Sequence, residues 1–469
     1  MGNTESEPRP PITYSPTNRR VRQPAVGGAT AARRTELPLV NPFDVSAPYA
    51  AAMRTALLLA LLPGLGTGLL LVSIAGLRVP LSVGWPQLAQ AHGQIQTIGF
   101  VVLFIVAVGM QLFPRFLGTP LRHAHRAAWG SGAVALALVA RLIGQPLPDG
   151  PLRFALLALA AIGVPTGVLI AGSAFHELRQ GKAAAAGGAA GAWRRFIAVG
   201  GLALGGSLLL YAWSGVSLAA GSIVVPPATD EALVHLELTG FATSLVLAVA
   251  SRVFGRFLLL RTRPALERRI PILALLWGAG LLLTSLGWLI GSAWLRLAGA
   301  LVEAGVILSW LWLVGLYLTP SRESGTPYVT NPTRRWVRLA FAFLVVSVAL
   351  QVGLFSREVV LGVSPSIAEL SAARHALGQG FLLPLMVAMA ARLLPIFSAD
   401  VLKHRLRLEL TVDLLLIGAL VRIFAELLAG YGPLGGPLVA LGGTLTVVGF
   451  AVFAAGMWSS LGRLPKPAR

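Results

Sequence analysis

Apolar residues along this chain fall into runs of about twenty or more, separated by short polar or basic segments. That is the length a helix needs to cross the hydrocarbon core of a bilayer. The pattern predicts twelve spans, at roughly 50–76, 88–113, 127–146, 152–177, 194–219, 231–258, 270–290, 294–319, 336–356, 367–396, 409–430 and 435–460. All are expected to be helices, because a helix satisfies its own backbone hydrogen bonds in lipid. The fold expected is therefore an all-α membrane protein, with a membrane domain over 49–462. Residues 1–48 lack an apolar run and read as a disordered basic tail rather than a cleavable signal. The stretch "GKAAAAGGAAGAW" (181–193) reads as a flexible linker.

A few polar residues break the greasy runs near one end of a span. "AHGQIQTIGF" (91–100) places His92 and Gln94 there, "HLELTGF" places His235 and Glu237, and "RHALGQGF" places Arg374 and His375. These stretches are related. Gly-Phe recurs at 99–100, 240–241 and 380–381, and Ala107, Ala248 and Ala388 and then Phe116, Phe257 and Phe397 keep the same steps of 141 and 140 residues. The chain is thus expected to be three copies of a four-helix unit, about 49–190, 191–330 and 331–462. Gln94, His235 and His375 hold equivalent positions in the second, sixth and tenth spans, and His92 lies two residues before Gln94.

Charge sets the orientation. The tail holds Arg9, Arg19, Arg20, Arg22, Arg33 and Arg34, and basic clusters such as Arg261, Arg263, Arg268 and Arg269 fill the loops on the same face. By this division Arg78, Arg153, Arg296 and Arg357 fall on the other face. The positive-inside rule then puts both termini in the cytoplasm and the histidine-bearing ends of the spans outside. The same rule accounts for a net charge of +20 in a chain that is 55% hydrophobic and 12% charged. The partner implied is the anionic bilayer surface of a bacterial inner membrane and not a nucleic acid. With no cysteine in the chain, disulfides, iron–sulfur clusters and thioether-linked haem are excluded.

Twelve spans in three arcs, with histidines near the outer ends of the second, sixth and tenth, resemble subunit I of the haem-copper oxidases. "AHGQIQTIGFVVLFIVAVGMQLFPRF" and "RHALGQGFLLPLMVAMAARLLP" are similar to the NnrS family, haem-containing relatives associated with bacterial nitric oxide metabolism. The resemblance implies a haem b clamped between His92 and His375. Arg374 could pair with a propionate, and Gln94 could donate a hydrogen bond nearby. His235 matches the sixth-span copper ligand of the oxidases, and makes a second metal conceivable there, with Glu237 as a weaker candidate ligand. The departures count against copper: the tenth span has one histidine, and the seventh, "RIPILALLWGAGLLLTSLGWLIG", has none. Oxygen reduction by the oxidase mechanism is not expected.

The residues alone leave other readings open. A histidine within eight residues of a span's end can simply hydrogen-bond at the interface, and Arg374 can snorkel. Glu237 can serve proton delivery or bond a neighbouring helix. His92 and Gln94 diverge by about 200° around a helix, so one pocket takes only one of them. Buried ionisable residues in spans are nonetheless functional by default. The leading expectation is a haem-b-binding, oxidoreductase-like membrane subunit for electron transfer or nitric oxide handling, with other respiratory or cytochrome subunits as the candidate partners. A small-molecule or cofactor transporter, or a cofactor-free scaffold of a respiratory complex, are the alternatives. "GLGTGLL" (64–70) reads as a small-residue packing face and not a nucleotide loop.

Overall fold

The structure is a computed structural model that describes residues 45–76, 84–179, 191–318, 331–398, 405–428 and 434–461. Every regular element among them is helical. Ten helices are long and apolar enough to cross a membrane: α1 (Ser46–Ile74), α2 (Trp85–Leu117), α3 (His125–Gly144), α4 (Pro151–Ser173), α5 (Arg194–Ala219), α6 (Pro227–Phe257), α7 (Ala265–Leu289), α8 (Ala293–Val314), α9 (Thr333–Leu361) and α12 (Gly435–Leu461). Two further helices, α10 (367–398) and α11 (Arg405–Leu427), coincide with the tenth and eleventh predicted spans. The chain is a multi-pass membrane protein. The tail and most of the 181–193 linker lie outside the described residues.

Burial sorts the helices into a centre and a rim. In α2 and α6, 83% of the most apolar stretch is buried, against 33–50% in the other eight. Phe100, Phe241 and Phe381, the aromatic of each Gly-Phe pair, are all in the core. The rim helices turn leucines and tryptophans such as Leu202, Leu209, Trp213 and Trp294 outward. That is the inverse of a water-soluble surface, and it suits lipid.

The most extensive pairings are the hairpins α3–α4, α7–α8 and α11–α12, and α12 packs back on α1. Each hairpin closes on two glycines whose backbones meet: Gly130 with Gly167, Gly280 with Gly299, and Gly418 with Gly442. Helix association in lipid lacks a hydrophobic drive, so such close approach is a main source of packing energy.

The sequence pattern did not anticipate breaks in helical register. α2, α6 and α10 each contain a π-helical segment, Ile95–Val102, His235–Thr243 and Ala376–Leu382, and α1 contains a fourth, Ala60–Leu65, around Pro63. Each central segment begins at or just after Gln94, His235 or His375. A wider turn redirects side chains and loosens the regular hydrogen-bond ladder, and such segments concentrate at functional sites. The glycine of each Gly-Phe pair sits where the segment meets a neighbour. A Cβ on Gly99 would lie 2.9 Å from Leu138, on Gly240 2.6 Å from Ala203, and on Gly380 2.5 Å from Phe343.

Candidate functional site

The N-terminal ends of α2, α6 and α10 carry the six residues singled out by the sequence, and the structure divides them into three groups.

The first group is built between α1 and α2. His92 and Gln96, four apart and so on one face of α2, reach across to carbonyls four apart in the π-helical turn of α1. His92 Nδ1 bonds the Gly64 oxygen at 2.8 Å, and Gln96 Nε2 bonds the Ala60 oxygen at 3.3 Å. A carbonyl oxygen can only accept, so Nδ1 carries the proton and the imidazole's lone pair stands on Nε2. The Cε1 side of the ring lies against Gly68, where a Cβ would sit 2.5 Å from Cε1. The "GLGTGLL" face therefore makes room for side chains of α2 more than for another backbone.

His375 is held in the same manner from the other side. Its Nδ1 bonds the Ser371 carbonyl oxygen at 2.9 Å and Glu426 Oε2 of α11 at 3.1 Å. Glu426 is buried and also accepts from Ser371 Oγ at 2.9 Å and Arg422 Nε at 2.8 Å. One carboxylate thus fixes a histidine, a serine and an arginine, as a buried charge must be compensated. His92 lies within electrostatic reach of both His375 and Arg422. Among the described residues, neither histidine has a hydrogen-bond partner at Nε2.

The second group contains His235. Here the ring uses the opposite nitrogen: Nε2 lies 3.0 Å from Glu303 Oε1 of α8, which also accepts from Thr284 Oγ1 of α7 at 2.9 Å. Arg374 is nearby but turned to α6, in ion pairs with Glu231 and Asp230. His235, Arg374 and Glu231 line a small pocket of about 40 Å³ with Gln351 and Trp288.

The third group separates Glu237 from His235 and Gln94 from His92. Glu237 faces Thr97, Gln94 and Arg141, and the four are buried together. The carboxylate oxygens of Glu237 and both amide atoms of Gln94 make no hydrogen bond of ordinary length to a described residue. Arg141 runs on through Gln145 and Gln90 to the backbone of Val225, by bonds of 3.0, 3.1 and 2.8 Å. Each unmade buried bond costs about 1–3 kcal/mol.

Chemically, the first group offers two imidazoles that are both anchored through Nδ1 and, among the described residues, have no hydrogen-bond partner at Nε2. The second offers a histidine already committed to a carboxylate. No group of three or more histidine, aspartate or glutamate side chains among the described residues is placed to hold a bare metal ion. Gln96, Ser371 and Thr284 were not foreseen as members of the site. Gln96 had a signal in its spacing from His92. Ser371 had the weaker one of a polar residue a turn before His375. Thr284 had none.

No protein-family model matches the chain, and no curated protein matches it. A solved structure of a haem-copper terminal oxidase dimer is similar to it, with a TM-score of 0.64 over 91% of this chain and 85% of that one. Sequence identity between the two is 14%, so the likeness is one of architecture. The chain has the fold of a haem-copper terminal oxidase.

Proposed function

We propose that this chain is a haem-b-binding inner-membrane protein, NnrS-like, in which His92 and His375 are the axial pair and the task is electron transfer or nitric oxide handling. The observation that carries this reading is the shared anchoring of the two imidazoles through Nδ1. Histidines that bind metal through one nitrogen generally donate the other N–H to a carbonyl or carboxylate, which fixes tautomer and ring orientation. His92 has the Gly64 carbonyl for this, and His375 has Ser371 and Glu426. His235 lacks the arrangement, because Glu303 takes its Nε2.

The residues fit the group in two further respects. Gly68 leaves the space that the His92 ring occupies. Arg422, held by Glu426, supplies positive charge beside the histidines for an anionic ligand edge. Arg374 would serve a propionate only by leaving its present carboxylates, so Arg422 is the better candidate. A haem held by His92 and His375 would supply a one-electron redox couple. The chain's part is to hold both rings and keep their Nδ1 protons in place. A copper centre of the oxidase kind does not fit the donor set around His235, and we assign none.

The same reading takes the twelve helices as three four-helix units, which the placing of π-helical segments in α2, α6 and α10 supports. It puts the histidine-bearing ends outside and both termini in the cytoplasm. The deciding experiment is a reduced-minus-oxidised visible spectrum of the purified protein. A sharp b-type α band is expected, and a featureless spectrum from folded protein grown with ample haem would remove the proposal.

A further inference from the structure

α2, α6 and α10 do not close on one another along their whole length. Toward the ends opposite the histidines they line a partly open, apolar cavity of about 120 Å³, with α1 and α12 contributing Tyr49 and Met457. The wall repeats. Val108, Val249 and Met389 stand 141 and 140 residues apart, and Gly109, Ala250 and Ala390 follow each of them by one position. The second triplet explains the space: at three equivalent positions nothing larger than a methyl group projects from the helix. The first triplet is only half-buried although it belongs to the central helices, because it faces this opening.

We propose that the cavity binds a small, uncharged, apolar molecule, no larger than about benzene, drawn from the hydrocarbon phase of the bilayer. Among the described residues no charged side chain lines it, and of the side chains that do, Tyr49 alone carries an oxygen or nitrogen. A cavity of this character excludes water, and one of roughly 150 Å³ suffices for benzene or xenon. Three methionines in the wall, Met386, Met389 and Met457, supply flexible, polarisable surface that moulds to different guests. The volume is too small for a whole acyl chain. Along α2 the site lies roughly 24 Å from His92, so it stands or falls independently of the haem assignment.

The probe is xenon. The structure of the wild-type protein under xenon pressure should show the gas between α2, α6 and α10, and benzene should compete for it. Ala250→Leu and Ala390→Leu, which fill the cavity from different helices, should each weaken xenon binding at least tenfold. Both should leave the visible spectrum and the elution profile unchanged. If wild-type protein shows no xenon there, the proposal is overturned. A continuous lipid or detergent chain through the cavity would overturn it too, as would undiminished xenon in both variants. Should neither variant fold, the wild-type structure and benzene competition still decide.

Discussion

Nε2 of His235 lies 3.0 Å from Oε1 of Glu303, deep between α6 and α8, and this bond sets His235 apart from the two other histidines of the central helices. His92 and His375 are tied down by Nδ1 and keep Nε2 available. His235 has its Nε2 engaged, by a carboxylate that is itself anchored by Thr284. Position in the sequence makes His235 and His375 equivalents, but hydrogen bonding makes His92 and His375 the matched pair.

Removing one partner of the His235–Glu303 pair should be costly. Glu303→Ala leaves a buried imidazole and the Thr284 hydroxyl without their acceptor, and such half-broken pairs typically cost about 3–5 kcal/mol. Replacing both residues together, as His235→Leu with Glu303→Leu, should recover most of that loss. Thermal unfolding midpoints in one detergent, arranged as a double-mutant cycle, give the comparison. A loss in the double variant equal to the sum of the two single losses would mean that the bond contributes no coupling.

The axial assignment predicts an asymmetric mutant series. His92→Ala and His375→Ala should each abolish the low-spin signal in electron paramagnetic resonance and in the visible spectrum. His235→Gln, which can still bond Glu303, should leave both intact. Should His235→Gln empty the site while His92→Ala retains haem, the pair is formed by the sequence-equivalent positions 235 and 375 instead.

Much of the fold was legible because its drivers are local. Run length marked the helices, and the recurring Gly-Phe pairs tied together three spans whose phenylalanines the structure places in the core. The π-helical turns were not legible, since one widened turn changes neither composition nor mean hydropathy. They matter to the site: the Gly64 carbonyl that holds His92 sits in one. The link from His375 to Glu426 spans 51 residues and depends on how α10 and α11 pack. Glu426 stands four residues after Arg422, on one face of a helix, but nothing in that spacing points to His375. Two residues apart on a helix, His235 and Glu237 diverge, but which groups they face, Glu303 for one and Gln94 and Thr97 for the other, is set by the tertiary arrangement.

Topology has a direct test, because the chain contains no cysteine. Cysteine placed at Pro227, which opens α6 at its histidine-bearing end, should react with an impermeant thiol reagent added to intact cells. Cysteine at Ala185 should react only after the membrane is broken. The reverse pattern would turn the molecule over and put the proposed haem near the cytoplasmic face.

The sharpest test of how His92 is positioned lies in two neighbouring glycines of α1. A Cβ at Gly66 would meet nothing closer than 3.7 Å, whereas one at Gly68 would lie 2.5 Å from Cε1 of His92. The ring cannot simply swing away, because Gly64 holds its Nδ1. Gly66→Ala should therefore be neutral or stabilise the protein by about 0.5–1 kcal/mol through lower chain entropy. Gly68→Ala should displace the imidazole, breaking the 2.8 Å bond or turning Nε2 out of line. The expected result is at least a tenfold loss of low-spin haem per protein, by pyridine haemochrome assay, in Gly68→Ala alone. Overpacking should cost that variant about 1–3 kcal/mol as well, so Gly68→Ser, of similar bulk, serves as its repeat. Full haem content in both position-68 variants would show that Gly68 does not set the place of the His92 ring.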